Sequence, residues 1–224
     1  VIDKGKKVRF ERINIQGNEK TRDKVIRREL KIVEGDYFNG DNLEKSTENL
    51  KRLGFFEESG GVELKTRTGS ADDLMIADIN VIERQAGSIQ GGVGYGGYEK
   101  GFVFGQVSHS NFRGLGQAVQ ASVQLSSRRS AFNTSLTEPW LFDPRLSMST
   151  ALFKWETDYY DYSLEKTGGS IGVGFPLEKG DYLRGSIGYS YDQSEVTDVY
   201  SYAASVIRDM EGKYTTSSIT MGIS

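Results

Sequence analysis

The chain has 224 residues, 37% hydrophobic side chains and a mean hydropathy of −0.48, a composition that fits a globular domain or a β-barrel. Its 28 basic and 31 acidic side chains give a net charge of −3, so no nucleic-acid-binding surface is expected. There is no cysteine, which excludes disulfides and thiolate metal sites. No apolar run approaches the roughly twenty residues of a membrane-spanning helix, and the segment at Val1 lacks a signal-peptide pattern. If the protein is exported, we expect its natural chain to begin before Val1.

Charge density falls abruptly near residue 86. Residues 1–86 hold 34 charged side chains, whereas the 138 residues that follow hold 25. Glycine and aromatic residues show the opposite trend, because 19 of 27 glycines and 20 of 25 aromatic residues come after residue 86. We therefore predict two domains, residues 1–86 and residues 87–224, that are built for different solvents.

The first 86 residues have the pattern strand, helix, helix, strand, strand. The first strand covers Val8–Ile15 and ends at the turn signal Gly17-Asn18. Period-two alternation predicts the other two strands at Val62–Arg67 and Met75–Val81. Three strands and two helices make a small two-layer α+β domain.

Capping signals mark the two helices between these strands. Thr21 is in position to cap the first helix. Asp41, with Glu44 three residues later, has the spacing of a capping box for the second helix. Gly54 predicts the end of that helix.

The second domain shows period-two alternation and no convincing helical period. In its clearest segment, Val119, Ala121, Val123 and Leu125 alternate with Gln120, Ser122, Gln124 and Ser126. Segments of about ten alternating residues are typical of an antiparallel transmembrane β-barrel, in which one face of each strand meets lipid and the other meets the lumen. We predict about eight strands, near residues 88–97, 102–112, 117–126, 130–138, 146–156, 167–176, 182–192 and 213–223.

A soluble β-sandwich would also alternate, but the aromatic residues favour a barrel. They cluster at segment ends, as in the interfacial girdles of membrane barrels. The clusters are Tyr95 with Tyr98, Trp140 with Phe142, Trp155 with Tyr159, Tyr160 and Tyr162, and Tyr182. Tight links at 113–116, 139–145 and 176–181 alternate with longer polar links at 156–166 and 192–213, which is the usual asymmetry of a barrel. Leu146–Trp155 has large apolar residues on both faces, so its lipid-facing side is left unassigned.

The residues give no sign of an enzyme or of a bound cofactor. Gly92–Gly97 matches the pattern G-x-G-x-x-G, but a strand follows it where a nucleotide-binding site needs a helix. His109 is the only histidine, so a histidine metal site is not expected and we place it as an ordinary polar residue near a strand end. We expect no catalytic site, no metal and no cofactor.

Several stretches, in the same order along the chain, resemble the POTRA-plus-β-barrel outer-membrane protein insertases, the BamA-type family. The POTRA-like stretches are Gly17–Glu29 and Leu50–Phe56, and the barrel-like turns are Asn111–Gly116, Thr137–Asp143 and Gly174–Leu177. The resemblance covers nearly the whole chain. Family members usually carry several POTRA domains and roughly sixteen strands, so we interpret this chain as the barrel-adjacent POTRA domain plus the first half of the barrel. Whether eight strands close alone is left open.

The resemblance also implies a function, a location and partners. It implies folding and insertion of outer-membrane proteins without nucleotide hydrolysis, in the bacterial outer membrane with the POTRA domain in the periplasm. The implied partners are unfolded outer-membrane β-barrel proteins, accessory outer-membrane lipoproteins and the lipid bilayer. A secretion pore of the two-partner kind and a passive structural barrel are the alternatives, and a passive barrel would have no reason to carry a POTRA domain.

The first barrel strand is rich in glycine, which gives a strand neither packing surface nor β-propensity. A seam there would expose unpaired backbone groups to which another protein could add a strand. The predicted pairing residues are Ser88, Ile89, Gly91, Gly92, Val93, Gly94 and Tyr95. The alternative is that these glycines only relieve crowding at a barrel bend. A second candidate edge lies in the POTRA sheet and consists of Val62, Glu63, Leu64, Lys65 and Thr66.

Overall fold

The computed structural model describes residues 7–142, 145–177 and 183–223. They divide into two compact units. The described residues up to Ala86 form unit 1 together with Ser110–Gly116, and Gly87–His109 with the residues from Gln117 onward form unit 2. Among the described residues, no helix is long and apolar enough to cross a membrane.

Unit 1 contains the predicted order of strand, helix, helix, strand, strand. Its elements are β1 (Arg9–Gln16), α1 (Asp23–Arg27), α2 (Gly40–Arg52), β2 (Val62–Thr68) and β3 (Leu74–Val81). The three strands form one sheet in the order β1-β3-β2, with β1 parallel and β2 antiparallel to the central strand β3. The predicted α+β domain is therefore present, with the predicted number of strands and helices.

One apolar core joins the two layers of unit 1. Val25 and Ile26 of α1 and Leu50 of α2 are fully buried, and they pack with Phe10 of β1 and Ile79 of β3. These positions follow the helix and strand periods of the sequence. Because α1 has only five residues, its stability comes from this burial and not from its length.

The predicted N-caps of both helices are wrong. Residue Arg22 occupies the N-cap of α1 and makes no side-chain cap bond, and Asn39, not Asp41, caps α2 by accepting a hydrogen bond from the Asp41 amide. Thr21 has a different role because distant partners occupy both of its polar groups. The predicted end of α2 is confirmed, since Gly54 follows it with φ +69°, a left-handed conformation that favours glycine.

Thr21, which is itself buried, is the centre of a partly exposed hydrogen-bond network in unit 1. Its amide donates to Glu83 Oε1 at 2.6 Å, and the Lys20 amide donates to Glu83 Oε2 at 2.9 Å. Asn111 Nδ2 donates to Thr21 Oγ1 at 2.8 Å, and the Arg22 amide donates to the Gly114 carbonyl at 2.9 Å. This network explains why Ser110–Gly116 belongs to unit 1 although it lies far along the chain.

Unit 2 contains eight strands in one antiparallel sheet. They are β4 (Gly87–Gly96), β5 (Lys100–Phe112), β6 (Gln117–Ser126), β7 (Arg129–Glu138), β8 (Ser147–Asp158), β9 (Ser163–Pro176), β10 (Arg184–Thr197) and β11 (Gly212–Ile223), with the short helix α3 (Ser205–Asp209) before β11. Each strand pairs with its neighbours in the sequence, so the order runs from β11 to β4. Eight strands were predicted, and the described residues of unit 2 form eight.

Two of the predicted connections are shorter than predicted, and two others lie partly outside the described residues. The link predicted at 156–166 is shorter because β8 continues to Asp158 and β9 begins at Ser163, and the link predicted at 192–213 is shorter because β10 continues to Thr197 and β11 begins at Gly212. Backbone hydrogen bonding continues there despite the polar side chains, which the alternation pattern could not reveal. The predicted turns at 139–145 and 176–181 include residues 143–144 and 178–181, and these residues, like the predicted girdle residue Tyr182, lie outside the described part of the chain.

The pairing register decides which face Leu146–Trp155 presents. In that register Leu152 pairs with Thr134, and Thr134 pairs with Ala121 of the apolar face. Phe153 pairs with Asn133, which belongs to the polar face. The apolar face of β8 therefore carries Met148 and Leu152, and Phe153 and Trp155 lie on the opposite face.

We expect residues 1–86 to fold alone and to lose stability in acid. Burial alone would raise the pKa of Glu83, but hydrogen bonds from Thr21 and from the Lys20 amide outweigh it and lower the pKa from its ordinary 4.5. A lowered pKa stabilises the fold above pH 4.5, and this contribution is lost as the pH falls through the folded-state value. Hydrogen bonds from Asn14 and Arg67 lower the pKa of Asp78 and act in the same direction.

The measurement is urea unfolding of residues 1–86 between pH 7 and pH 3. Glu83→Gln should lower the free energy of unfolding at pH 7 by about 1 kcal/mol and reduce its fall on acidification. The control Glu57→Gln removes an exposed carboxylate. It should leave the free energy of unfolding at pH 7 and its fall on acidification nearly unchanged. A fragment that is unfolded in water would contradict the domain boundary, and equal effects of the two variants would contradict the role of Glu83.

A lysine should be costly on the apolar face of β6 and tolerated on its polar face. Near the middle of a bilayer, Val123→Lys should cost about 2 to 4 kcal/mol because the charge loses its hydration. Ser122→Lys, one residue away on the other face, is the matched control and should cost little. Equilibrium unfolding from lipid vesicles measures the free energy of unfolding of both variants. Equal losses of stability would argue against a membrane-facing apolar surface.

Candidate strand-pairing site

The predicted pairing residues lie together on β4, which is an edge of the eight-stranded sheet. Within the described residues, β4 is hydrogen-bonded to β5 and to no other strand. Ser88, Ile89, Gly91, Gly92, Val93, Gly94 and Tyr95 all belong to it. In an antiparallel pair, alternate residues direct their amide and carbonyl groups away from the neighbour. The free side of β4 therefore presents a row of backbone donors and acceptors.

The apolar side chains of β4 are unusually open. Ile89, Val93 and Tyr95 are 83%, 82% and 77% exposed. They share a face with Gly91, which pairs with Gly105, and a Cβ on Gly105 would lie 3.6 Å from Val123 Cγ1. These side chains therefore continue the apolar face of the sheet to its edge.

The glycines of β4 lie beneath aromatic rings of β5. Gly92 pairs with Phe104 and Gly94 pairs with Phe102. A Cβ on Gly92 would lie 2.8 Å from Phe104 Cε1, and a Cβ on Gly94 would meet the Phe102 ring. The expectation that glycine leaves this strand without packing surface thus needs correction, because the neighbouring rings cover two of the glycines on the polar face. This favours the alternative in which the glycines relieve crowding.

The same pairing recurs elsewhere in the sheet. Gly168 of β9 pairs with Phe153 of β8, and Gly185 of β10 pairs with Phe175 of β9. In both pairs an added Cβ would lie less than 3 Å from the ring. Sequence reasoning missed these rings because the partner of a glycine is known only from the register.

The second candidate edge is β2 of unit 1. It pairs only with β3 among the described strands and carries all five predicted residues. Val62 is buried and Leu64 is half-buried, whereas Glu63, Lys65 and Thr66 are exposed. Lys65 Nζ and Glu63 Oε1 form an ion pair at 2.7 Å. This edge is thus short, charged on its outer face and anchored in the core.

The sequence predicted no metal site and no nucleotide site at these edges, and the structure shows where the residues concerned lie. In the part of the chain that the structure describes, no group of three or more His, Asp or Glu side chains could hold a metal ion. His109 lies in β5 near its end, and the Gly92–Gly97 stretch runs from β4 into a turn followed by β5. The chemistry available at both sites is backbone hydrogen bonding.

Family models match both units of the chain. The model of the Omp85 superfamily domain matches residues 111–224, which is more than half of the chain. The chain belongs to the Omp85 superfamily. A POTRA model, described as a surface antigen variable number repeat, matches residues 8–83. The POTRA-plus-barrel resemblance of the sequence is thereby confirmed.

Relatives place this Omp85 chain among BamA-type proteins. It is 32% identical over 95% of its length to an outer membrane protein assembly factor BamA from Nitratidesulfovibrio vulgaris, of which it spans 26%. A crystal structure of BamA from Haemophilus ducreyi lacking POTRA domains 1–3 matches 99% of the chain, and the chain covers 44% of it, with a TM-score of 0.72 at 23% identity. The structure of CdiB from Acinetobacter baumannii matches 97% of the chain, and the chain covers 42% of that structure, with a TM-score of 0.60 at 16% identity.

The outer-membrane location expected from the sequence is confirmed by these relatives. The barrel strands of this Omp85 chain belong to the outer membrane and its POTRA domain belongs to the periplasm. Because the chain spans only about a quarter of the BamA relative's length, the activity and partners of the whole protein are matters for proposal.

We expect Gly94 and Phe102 to be energetically coupled. Gly94→Val should destabilise the sheet because its Cβ meets the Phe102 ring, and Phe102→Ala should uncover Gly94. The double variant should lose about 1 kcal/mol less than the sum of the single losses, as measured by unfolding from lipid vesicles. The control is Gly96→Val, where an added Cβ meets nothing within 4 Å and the higher β-propensity of valine should be harmless or helpful. Equal tolerance of valine at Gly94 and Gly96 would contradict this account of the glycines.

Proposed function

We propose that this chain is part of an outer-membrane protein assembly factor whose strand β4 pairs with a strand of an incoming β-barrel protein. The observation that carries the proposal is the composition of β4, in which five of ten residues are glycine, at one of the two edges of the described sheet. A strand added there would satisfy backbone groups that are otherwise unpaired in an apolar surrounding, where each unpaired group is costly. The free energy released by strand pairing and by transfer of apolar side chains into lipid would drive insertion without a nucleotide or a catalytic residue.

Pairing through the backbone suits a factor that handles many sequences. The groups on the edge of β4 are the same for any client, and Ile89, Val93 and Tyr95 set only which face of the client strand meets lipid. The proposed clients are therefore unfolded outer-membrane β-barrel proteins, which carry the same alternation. The lipid bilayer is the second partner, since it receives the apolar face of both strands.

The edge of β2 is proposed to bind clients earlier, in the periplasm. Strand addition to β2 would hold an unfolded segment extended through its backbone. The charged pair of Glu63 and Lys65 on the exposed face would limit aggregation through this edge. Accessory outer-membrane lipoproteins belong to the proposal as partners implied by the family, and no described surface is assigned to them.

The assembly function is favoured over the two alternatives from the sequence. The sequence relatives of this chain that are named BamA carry the description of outer membrane protein assembly factors, whereas CdiB, at 16% identity, supports the fold alone. A secretion pore would conduct its substrate through the lumen and would leave β4 without a client strand. A passive barrel would contact no client at all.

Cysteine crosslinking in the intact protein tests the proposal. Single cysteines at Ile89, Val93 and Tyr95 should crosslink to the terminal strand of a client arrested during insertion. The matched control is Ile171→Cys on β9, which lies on the same apolar face but has strands on both sides. Equal crosslinking from β9 and β4, or a client path confined to lumen-facing positions, would overturn the proposal.

A further inference from the structure

The turn that joins β4 to β5 is poorly stabilised by its own residues. It consists of Gly97, Tyr98 and Glu99, and Lys100 follows with φ +60°, a left-handed conformation that costs a non-glycine residue energy. Gly96 and Gly97 precede Tyr98 and add flexibility. The end of β4 at this turn should therefore fray unless other parts of the sheet hold it.

Tyr98 connects this turn to two other turns of unit 2. Its hydroxyl donates to the carbonyl of Asp158 at the end of β8. Its ring packs edge-on against Tyr160, with centroids 5.5 Å apart. The Arg128 guanidinium, from the turn between β6 and β7, lies 5.2 Å from the Tyr98 ring centroid and 4.7 Å from that of Tyr160. One cation thus contacts two rings, at distances that are favourable for a cation–π interaction.

Glu99 makes a second set of contacts to the same region. Its carboxylate accepts a hydrogen bond from Gln124 Nε2 at 3.3 Å and lies 3.7 Å from Arg129 Nη1. Its carbonyl accepts a hydrogen bond from Ser127 Oγ at 3.3 Å. Two neighbouring residues of the turn are therefore held by polar and aromatic contacts from β6, β7 and the link between β8 and β9.

We propose that Tyr98, Glu99, Arg128 and Tyr160 form a clasp that keeps the end of β4 in register with β5. The clasp residues act through the backbone of the hairpin and are positioning residues. At the other end of the hairpin, the Ser110 amide donates to the Ala86 carbonyl at 2.9 Å, so β4 is restrained beyond both of its ends. The consequence for client binding, a template of fixed register, rests on the proposed function, but the clasp itself does not.

Hydrogen exchange of the intact protein in lipid bilayers tests the clasp without any client. Tyr98→Ala and Arg128→Ala should each accelerate amide exchange at 92–96 and 101–104 by about tenfold, with β9 and β10 unchanged. Tyr98→Phe keeps the ring and loses the hydrogen bond, and Arg128→Lys keeps the cation, so both should exchange more slowly than the alanine variants. Tyr214→Ala is the matched control, because Tyr214 lies in β11 and its hydroxyl donates to the Asp209 carbonyl at 3.3 Å, away from the clasp residues.

Unchanged exchange at 92–96 in both alanine variants would overturn the clasp. Equal acceleration in β4, β9 and β10 would also overturn it, because that result describes a general loss of stability and not a local restraint. Acceleration confined to the β4–β5 hairpin supports it, whatever the outcome of client crosslinking. Failure of the proposed function is thereby distinguished from failure of the clasp.

Discussion

A β-strand needs backbone partners on both sides, and in the described chain β4 has them on one side only. In water an open edge is satisfied by solvent, but in the hydrocarbon region of a bilayer it is not. The arrangement of unit 2 can be understood from this constraint. The strands from β5 to β10 lie between two neighbours, and among the described strands β4 and β11 form the two edges of the sheet. Exposed apolar side chains occur on both edge strands, whereas five glycines among ten residues distinguish β4.

The glycines of β4 combine two effects that the sequence alone presents as one. They weaken the strand through their backbone freedom, and they also make room for Phe102 and Phe104 of β5. The rings restore apolar contact on the polar face, while the free edge keeps its backbone groups accessible. A strand built this way can remain attached to β5 and still present its other side to a partner.

The local sequence pattern was enough to predict the strands. It did not predict which face of β8 is apolar, or the long-range contacts of Thr21 and Tyr98. Alternation predicted the eight strands, because period two depends only on neighbouring residues. The division into two domains was predicted separately, from the change in charge density. The face of Leu152 required the register with Thr134, since β8 is apolar on both sides. Thr21 looked like a helix cap because its partners, Glu83 and Asn111, are 62 and 90 residues away. Tyr98 looked like a girdle residue, and its contact with Arg128 depends on two turns meeting in space.

Solid-state NMR of a client arrested during insertion tests the central claim most directly, because it detects the backbone itself. With ¹³C carbonyl labels in β4 and ¹⁵N in the client's terminal strand, the account predicts contacts that recur at every second residue along the edge, as a β-ladder requires. Contacts should include Gly91, Val93 or Tyr95, because the Ser110–Ala86 hydrogen bond and the β4–β5 register direct the backbone groups of these residues away from β5, and contacts should be absent from β9. A client strand that shows no backbone contact to β4, although it is inserting, would contradict the account.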